Sequence, residues 1–235
     1  MVNSPSSGRE AGDSPVPALP AEWLLWQLVD SAFPTGGFAH SAGLEAAWQH
    51  GELRGGRDVE SFTEASLQQA GRGALPFVST AFDDPGQWIW LDEFCDAFTS
   101  NHVANRSSRV QGRAFLASSQ RIFGDSLAAL PGFNPPYSHL APAFGVILQC
   151  LRVERAAAGR LYIYLQLRGV IAAAVRLGVV GPLEGQAIQL RLRPSAERVF
   201  RQCSRLTALE AAQTSPLQEI WQGAQDRLYS RLFQS

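Results

Sequence analysis

No stretch of this chain sustains the two-residue alternation of a half-buried strand, whereas apolar residues recur three and four apart along most of its length. The one run that alternates, Gln189 to Pro194, sits inside a stronger helical pattern. The fold class this predicts is all-α: a single helical-bundle-like domain of roughly ten helices. Trp23, Leu24, Leu25, Leu28 and Val29 mark a first helix over about Ala21–Ser31, and Pro34 with Gly36-Gly37 breaks it. Ser41–Gly51 resumes as helix. Another begins at Asp58 and ends at Gly71–Gly73. Val78–Phe82 is short and apolar enough to be strand or helix. Trp88–Thr99, His102–Phe123, His139–Val153, Ala156–Leu177 and Pro182–Arg205 carry helical spacing, Pro131–Ser138 is a loop, and Pro216 opens a last helix running to the C-terminus. Residues 1–20, rich in Pro and Ser, are expected to be a disordered leader before the 21–235 domain.

Several function classes fall away on composition. The chain has 235 residues with 20 Lys plus Arg, and every one of those is Arg. Without lysine there is no Walker A loop and no Schiff-base chemistry. A net charge of −1 gives no broad pull toward nucleic acid or a membrane surface. Cys95, Cys150 and Cys203 lie far apart, suggest neither a disulfide framework nor a zinc site, and fit a reducing cytosol. No signal-type apolar segment opens the chain, so a cytoplasmic location is expected. The most apolar stretch, Tyr162–Val180, contains Arg168 and Arg176 and reads as a buried core helix rather than a membrane span.

Candidate chemistry is sparse. Ala39-His40-Ser41-Ala42-Gly43 approximates a nucleophile elbow, but no strand precedes it, and Ser41 reads better as a helix N-cap with Glu45 favouring the helix dipole. His40, His50, His102 and His139 form no metal-spaced pair. A serine hydrolase using Ser41, or a direct carrier of a metal ion using His40, His139 or the cysteines, are the alternatives left open. Asp83, Asp84, Asp92, Glu93 and Asp96 read as a solvated acidic face. Arg106, Arg109 and Arg113 share one side of the long helix, beside a notch made by Ser108 and Gly112. The ending Tyr229-Ser230-Arg231-Leu232-Phe233 carries more apolar surface than a free terminus usually does.

The stretch Asp30–Glu45 resembles the N-terminal signature of the UreF-type urease accessory proteins. Asn105–Arg113 resembles that family's Ser/Arg-rich helix, Ala174–Gln186 its A-x-R-L-G segment, and Tyr229–Phe233 its C-terminal ending. The resemblance spans about residues 22–235. It implies an all-α homodimer that is not an enzyme. This scaffold or chaperone subunit would act in a complex with UreD (also called UreH) and the UreG GTPase, which inserts nickel into apo-urease. No catalytic residue, metal site or cofactor is expected on this chain; nickel and GTP belong to the complex. Candidate partner contacts are Gly36, Gly37 and His40 in the turn, Arg106, Arg109 and Arg113 on the helix face, and Tyr229, Arg231, Leu232 and Phe233 in the tail, the last group expected to dock on UreD.

Overall fold

A computed structural model describes residues 21–127, 130 and 135–235. The leader expected over residues 1–20 and the first half of the 131–138 loop, residues 131–134, lie outside it. Ten α-helices follow one another with no strand among the described residues. They are α1 (Ala21–Val29), α2 (Leu44–Gln49), α3 (Gly56–Gln69), α4 (Leu75–Asp83), α5 (Trp88–Phe98), α6 (His102–Leu127), α7 (Leu140–Cys150), α8 (Arg155–Arg176), α9 (Pro182–Cys203) and α10 (Pro216–Ala224).

The centre is α7. Ala141, Ala143, Phe144, Val146, Ile147 and Leu148 are all buried, so the helix is apolar around its circumference and must be enclosed by others. It lies against α4 and α6, while α8 packs on α9 and α3. Gly112 of α6 sits where the α7 entry crosses it. A Cβ there would fall inside the van der Waals shell of the Ser138 carbonyl oxygen and close to the His139 backbone. The small-residue notch is therefore a backbone-on-backbone crossing.

Three expectations need correction. The helix expected to stop at Gly71–Gly73 does not stop; a π-helical turn, Ala70–Ala74, joins α3 to α4. The reason is Pro76, which has no N–H to donate to the Arg72 carbonyl. That carbonyl accepts instead from Ala212 N at 3.0 Å, tying down the segment between α9 and α10. Second, the last helix ends at Ala224. A 3-10 turn (Gln225–Arg227) and an extended tail follow it. Third, the acidic run is not a uniformly solvated face: Asp92 is completely buried. The ambiguous Val78–Phe82 run is helical, within α4.

Candidate functional site: the turn, the tail and the α7 entry

After α1, Asp30 caps the break by accepting from Ala32 N at 2.8 Å. Phe33 turns inward against Phe115 and Phe123. Gly36 takes a positive φ of 71°, which needs the absence of a Cβ, and a 3-10 turn follows over Gly37–Ala39. Ala42 and Gly43 also lie at positive φ before α2 starts at Leu44. Ser41 stands just ahead of that helix, fully buried, its Oγ accepting from Glu45 N at 3.4 Å. It has no strand before it, and the neighbouring His40 ring bonds elsewhere.

The tail folds back onto this turn. Glu45 is 1% exposed, and its carboxylate accepts from Leu232 N at 2.6 Å, Phe233 N at 3.0 Å and Gln225 Nε2 at 2.6 Å. Three donors satisfy a charge that burial would otherwise penalise heavily. Gln49 Nε2 donates to the Ser230 carbonyl and Gln234 N to the Ala39 carbonyl. Ser41 N donates to the Ser235 carbonyl, and His40 Nδ1 pairs with Ser235 Oγ at 2.6 Å. The Arg176 guanidinium donates to the Phe38 carbonyl and lies over the Phe38 and Phe233 rings, 5.9 and 4.6 Å from their centroids.

The predicted contact residues therefore split. Phe233, expected among the partner contacts, is instead an internal anchor, buried by its own domain. Tyr229 is fully exposed and Leu232 half exposed. The three arginines do not form one free face. Arg106 holds Asp226 through two bonds of 3.0 and 2.7 Å, and Arg231 and His102 bind the same carboxylate. The Arg106 hydrogen bond, chiefly, pulls the Asp226 carboxyl below its ordinary range. Arg109 lies over Tyr137 and near Asp96. Arg113 is exposed and makes no ion pair with a described residue.

A second cluster forms the α7 entry. Asp92 accepts from Tyr137 N, Ser138 N and His139 N at 2.7, 3.0 and 2.6 Å, placing a buried carboxylate at a helix N-terminus. His139, also buried, bridges Ser108 Oγ at 3.0 Å and Asp96 Oδ1 at 3.1 Å. Burial would raise the Asp96 carboxyl, but hydrogen bonds from Asn105 and His139 carry it below its usual value. Ser–His–Asp is a catalytic residue set, but here Ser108 lies in mid-helix, where neighbouring N–H groups are spent on the helix and cannot line an oxyanion hole. Ser108 Oγ also accepts from Leu140 N. The cluster works as a brace. Among the described residues no group of three or more His, Cys, Asp or Glu is placed to hold a metal ion, and no helix is long and apolar enough to cross a membrane.

Sequence reasoning missed Glu45 as a receptor, and also Gln49, Arg176, Gln225 and Asp226. The available signal was a carboxylate inside the otherwise apolar run Leu44-Glu45-Ala46-Ala47.

His40 gives this site a pH signature. Burial, with Arg106 nearby, pushes it from 6.5 to about 4. The unfolded chain takes up that proton near its ordinary value and the folded chain only near 4, so the contribution is complete above 6.5 and lost as pH falls toward 4. A His40→Gln variant is expected to lose less stability over that window than the wild type, measured as urea midpoints at stepped pH. Parallel pH profiles for the two proteins would contradict the assignment.

The fold and site together define an all-α protein whose opening turn and C-terminal tail are locked into one surface, with no assembled catalytic constellation among the described residues. The sequence profile of the UreF family matches residues 53–193. Urease accessory protein F of Oryza sativa subsp. indica is 37% identical over 219 residues, covering 90% of this chain and 84% of the rice protein. The Arabidopsis thaliana protein of the same name is 36% identical over 221 residues, covering 90% and 92%. Urease accessory protein UreF of Pseudomonas aeruginosa is 26% identical over 229 residues, covering 91% and 98%. The chain belongs to the UreF family.

Proposed function

We propose that this chain is a non-enzymatic scaffold subunit in urease maturation. It acts in the cytoplasm as a homodimer, with a UreD-type accessory protein and a UreG-type GTPase, so that the assembled complex inserts nickel into apo-urease. Family membership and the relatives' names as accessory proteins support the urease connection. The observation that carries the binding role is the locked tail. Glu45, Arg176 and the Arg106–Asp226 pair hold an extended segment in one conformation, with Tyr229 exposed and Leu232 half exposed beside Arg231. Tyrosine and arginine side chains pre-ordered on a surface are the residue types that dominate interface hot spots. The Gly36–His40 turn is part of the same surface through its bonds to the tail.

The test is co-purification. The full chain is expected to capture the UreD-type partner, and a chain cut after Asp226 is expected to bind it about thirtyfold more weakly, the factor for one hot-spot anchor. Undiminished capture by the shortened chain would reject the tail as the docking element. Mass determination of the purified assembly checks the dimer.

A further inference from the structure

The tail is bonded to its seat mainly through backbone groups. The amides of Leu232 and Phe233 donate to Glu45, and the Gln234 amide donates to the Ala39 carbonyl. The carbonyls of Ser230, Phe233 and Ser235 accept from Gln49 Nε2, Gln225 Nε2 and Ser41 N. Any extended peptide presents those same groups. Main-chain bonding of this kind gives affinity, and the pockets that take alternate side chains give specificity.

The side chains alternate as a strand's do. Phe233 is 3% exposed and Ser235 1%, while Leu232 is half exposed and Gln234 exposed. Tyr229, Ser230 and Arg231 upstream are exposed as well. The Phe233 ring lies against the Arg176 guanidinium, and Ser235 Oγ pairs with His40 Nδ1. The seat therefore encloses two side chains only: an aromatic ring and, two positions on, a small hydroxyl.

The chain's own tail has one advantage over a free peptide, its tether. It leaves α10 through the Gln225–Arg227 turn, and Leu228 begins the extended segment. A short tether supplies an effective concentration on the order of a millimolar. It adds no contact, because the groups that hold the tail all belong to the body of the chain. The same segment from a second copy would repeat every bond, and exchange of an identical element between copies is a low-cost route to association. We infer that the seat is a peptide-recognition groove that reads an aromatic residue followed two positions later by serine, and that it takes this segment from a second copy of the chain when its own tail is out of place. This inference stands on the tail geometry and needs neither the urease role nor its proposed partners.

The probe is a fluorescent peptide of the Leu228–Ser235 sequence, standing for the second copy's tail. The full chain carrying Phe233→Ala is the receptor, since its own tail lacks the anchor. Saturable binding by anisotropy is expected, about tenfold tighter or more than to the wild type, whose seat is filled. Leu232→Pro removes one tail amide donor and leaves the body of the chain untouched, so it serves as a second receptor with the same behaviour. A peptide with Phe233→Ala or Ser235→Leu should bind at least about tenfold more weakly. Peptides with Tyr229→Ala or Gln234→Ala should stay within about threefold. No saturable binding by a receptor whose thermal unfolding shows it folded would overturn the groove, as would equal binding by the wild type. Equal affinity of the Phe233→Ala or Ser235→Leu peptide, or a tenfold loss from Tyr229→Ala, would overturn the two-position reading.

Discussion

Glu45→Ala is expected to free the last residues of the chain while the helical bundle stays folded. The carboxylate holds two tail amides and the Gln225 side chain, and it is buried at the centre of the tail's docking seat. Each hydrogen bond to a charged acceptor is worth about 1.5–3 kcal/mol, and each neutral donor left buried without an acceptor costs about 1–3 kcal/mol. The loss falls on the tail, because all three donors lie after α10, in the segment from Gln225 to Phe233. Amide exchange at Leu232, Phe233 and Gln234 should accelerate by about a hundredfold or more, with exchange in α7 and α8 unchanged. Capture of the proposed UreD-type partner should fall in step with the truncated chain. Glu45→Gln keeps the shape and one acceptor oxygen and should lie between. Slow exchange at those three amides in Glu45→Ala would mean that Arg176 and the buried Phe233 ring hold the tail unaided.

Gly112→Val is expected to cost about 4 kcal/mol or more, a large share of the 5–15 kcal/mol that keeps a domain folded. The new Cβ meets backbone on the facing segment, at Ser138, His139 and Leu140, and backbone cannot step aside as a side-chain end can. Moving the segment away would strip Asp92 of its three N–H donors and separate His139 from Ser108. The packing and polar costs therefore arrive together, and the urea midpoint should drop accordingly. Gly169→Ala is the control: it is also a helix-interior glycine, but with open space beside it, and it should stabilise by about 0.5–1 kcal/mol. A Gly112→Val chain with a wild-type midpoint would show that the α6–α7 crossing is slack.

Much of the fold was legible because helical periodicity reports burial directly. The spacing predicted helices over Trp88–Thr99 and Ala156–Leu177, and the structure has them over Trp88–Phe98 and Arg155–Arg176. The long sixth helix was expected to end at Phe123, and a break in helical backbone geometry stands at that residue, although helix resumes as far as Leu127. Pro76 was passed over because a proline in a first helical turn is ordinary; its consequence lies four residues back, in a carbonyl freed for a distant amide. Asp92 and Glu93 are neighbours of the same chemical type, one buried and one exposed. No local pattern separates them, since what buries Asp92 is the amide cluster at the entry of α7, some forty-five residues later in the chain.

The opening turn and the closing tail divide the two kinds of information most clearly. By itself the sequence determined that helices would form, where Pro34 and Gly36 would break the first of them, and that the Asp30–Glu45 and Tyr229–Phe233 segments resemble those of one family. All of these rest on backbone preference, side-chain period and residue identity, which are properties of neighbours in the chain. Only the tertiary structure decided that those two segments are the two halves of one site. Glu45 and Phe233 are separated by 188 positions, and a hydrogen bond across that separation exists only because the bundle between them has folded.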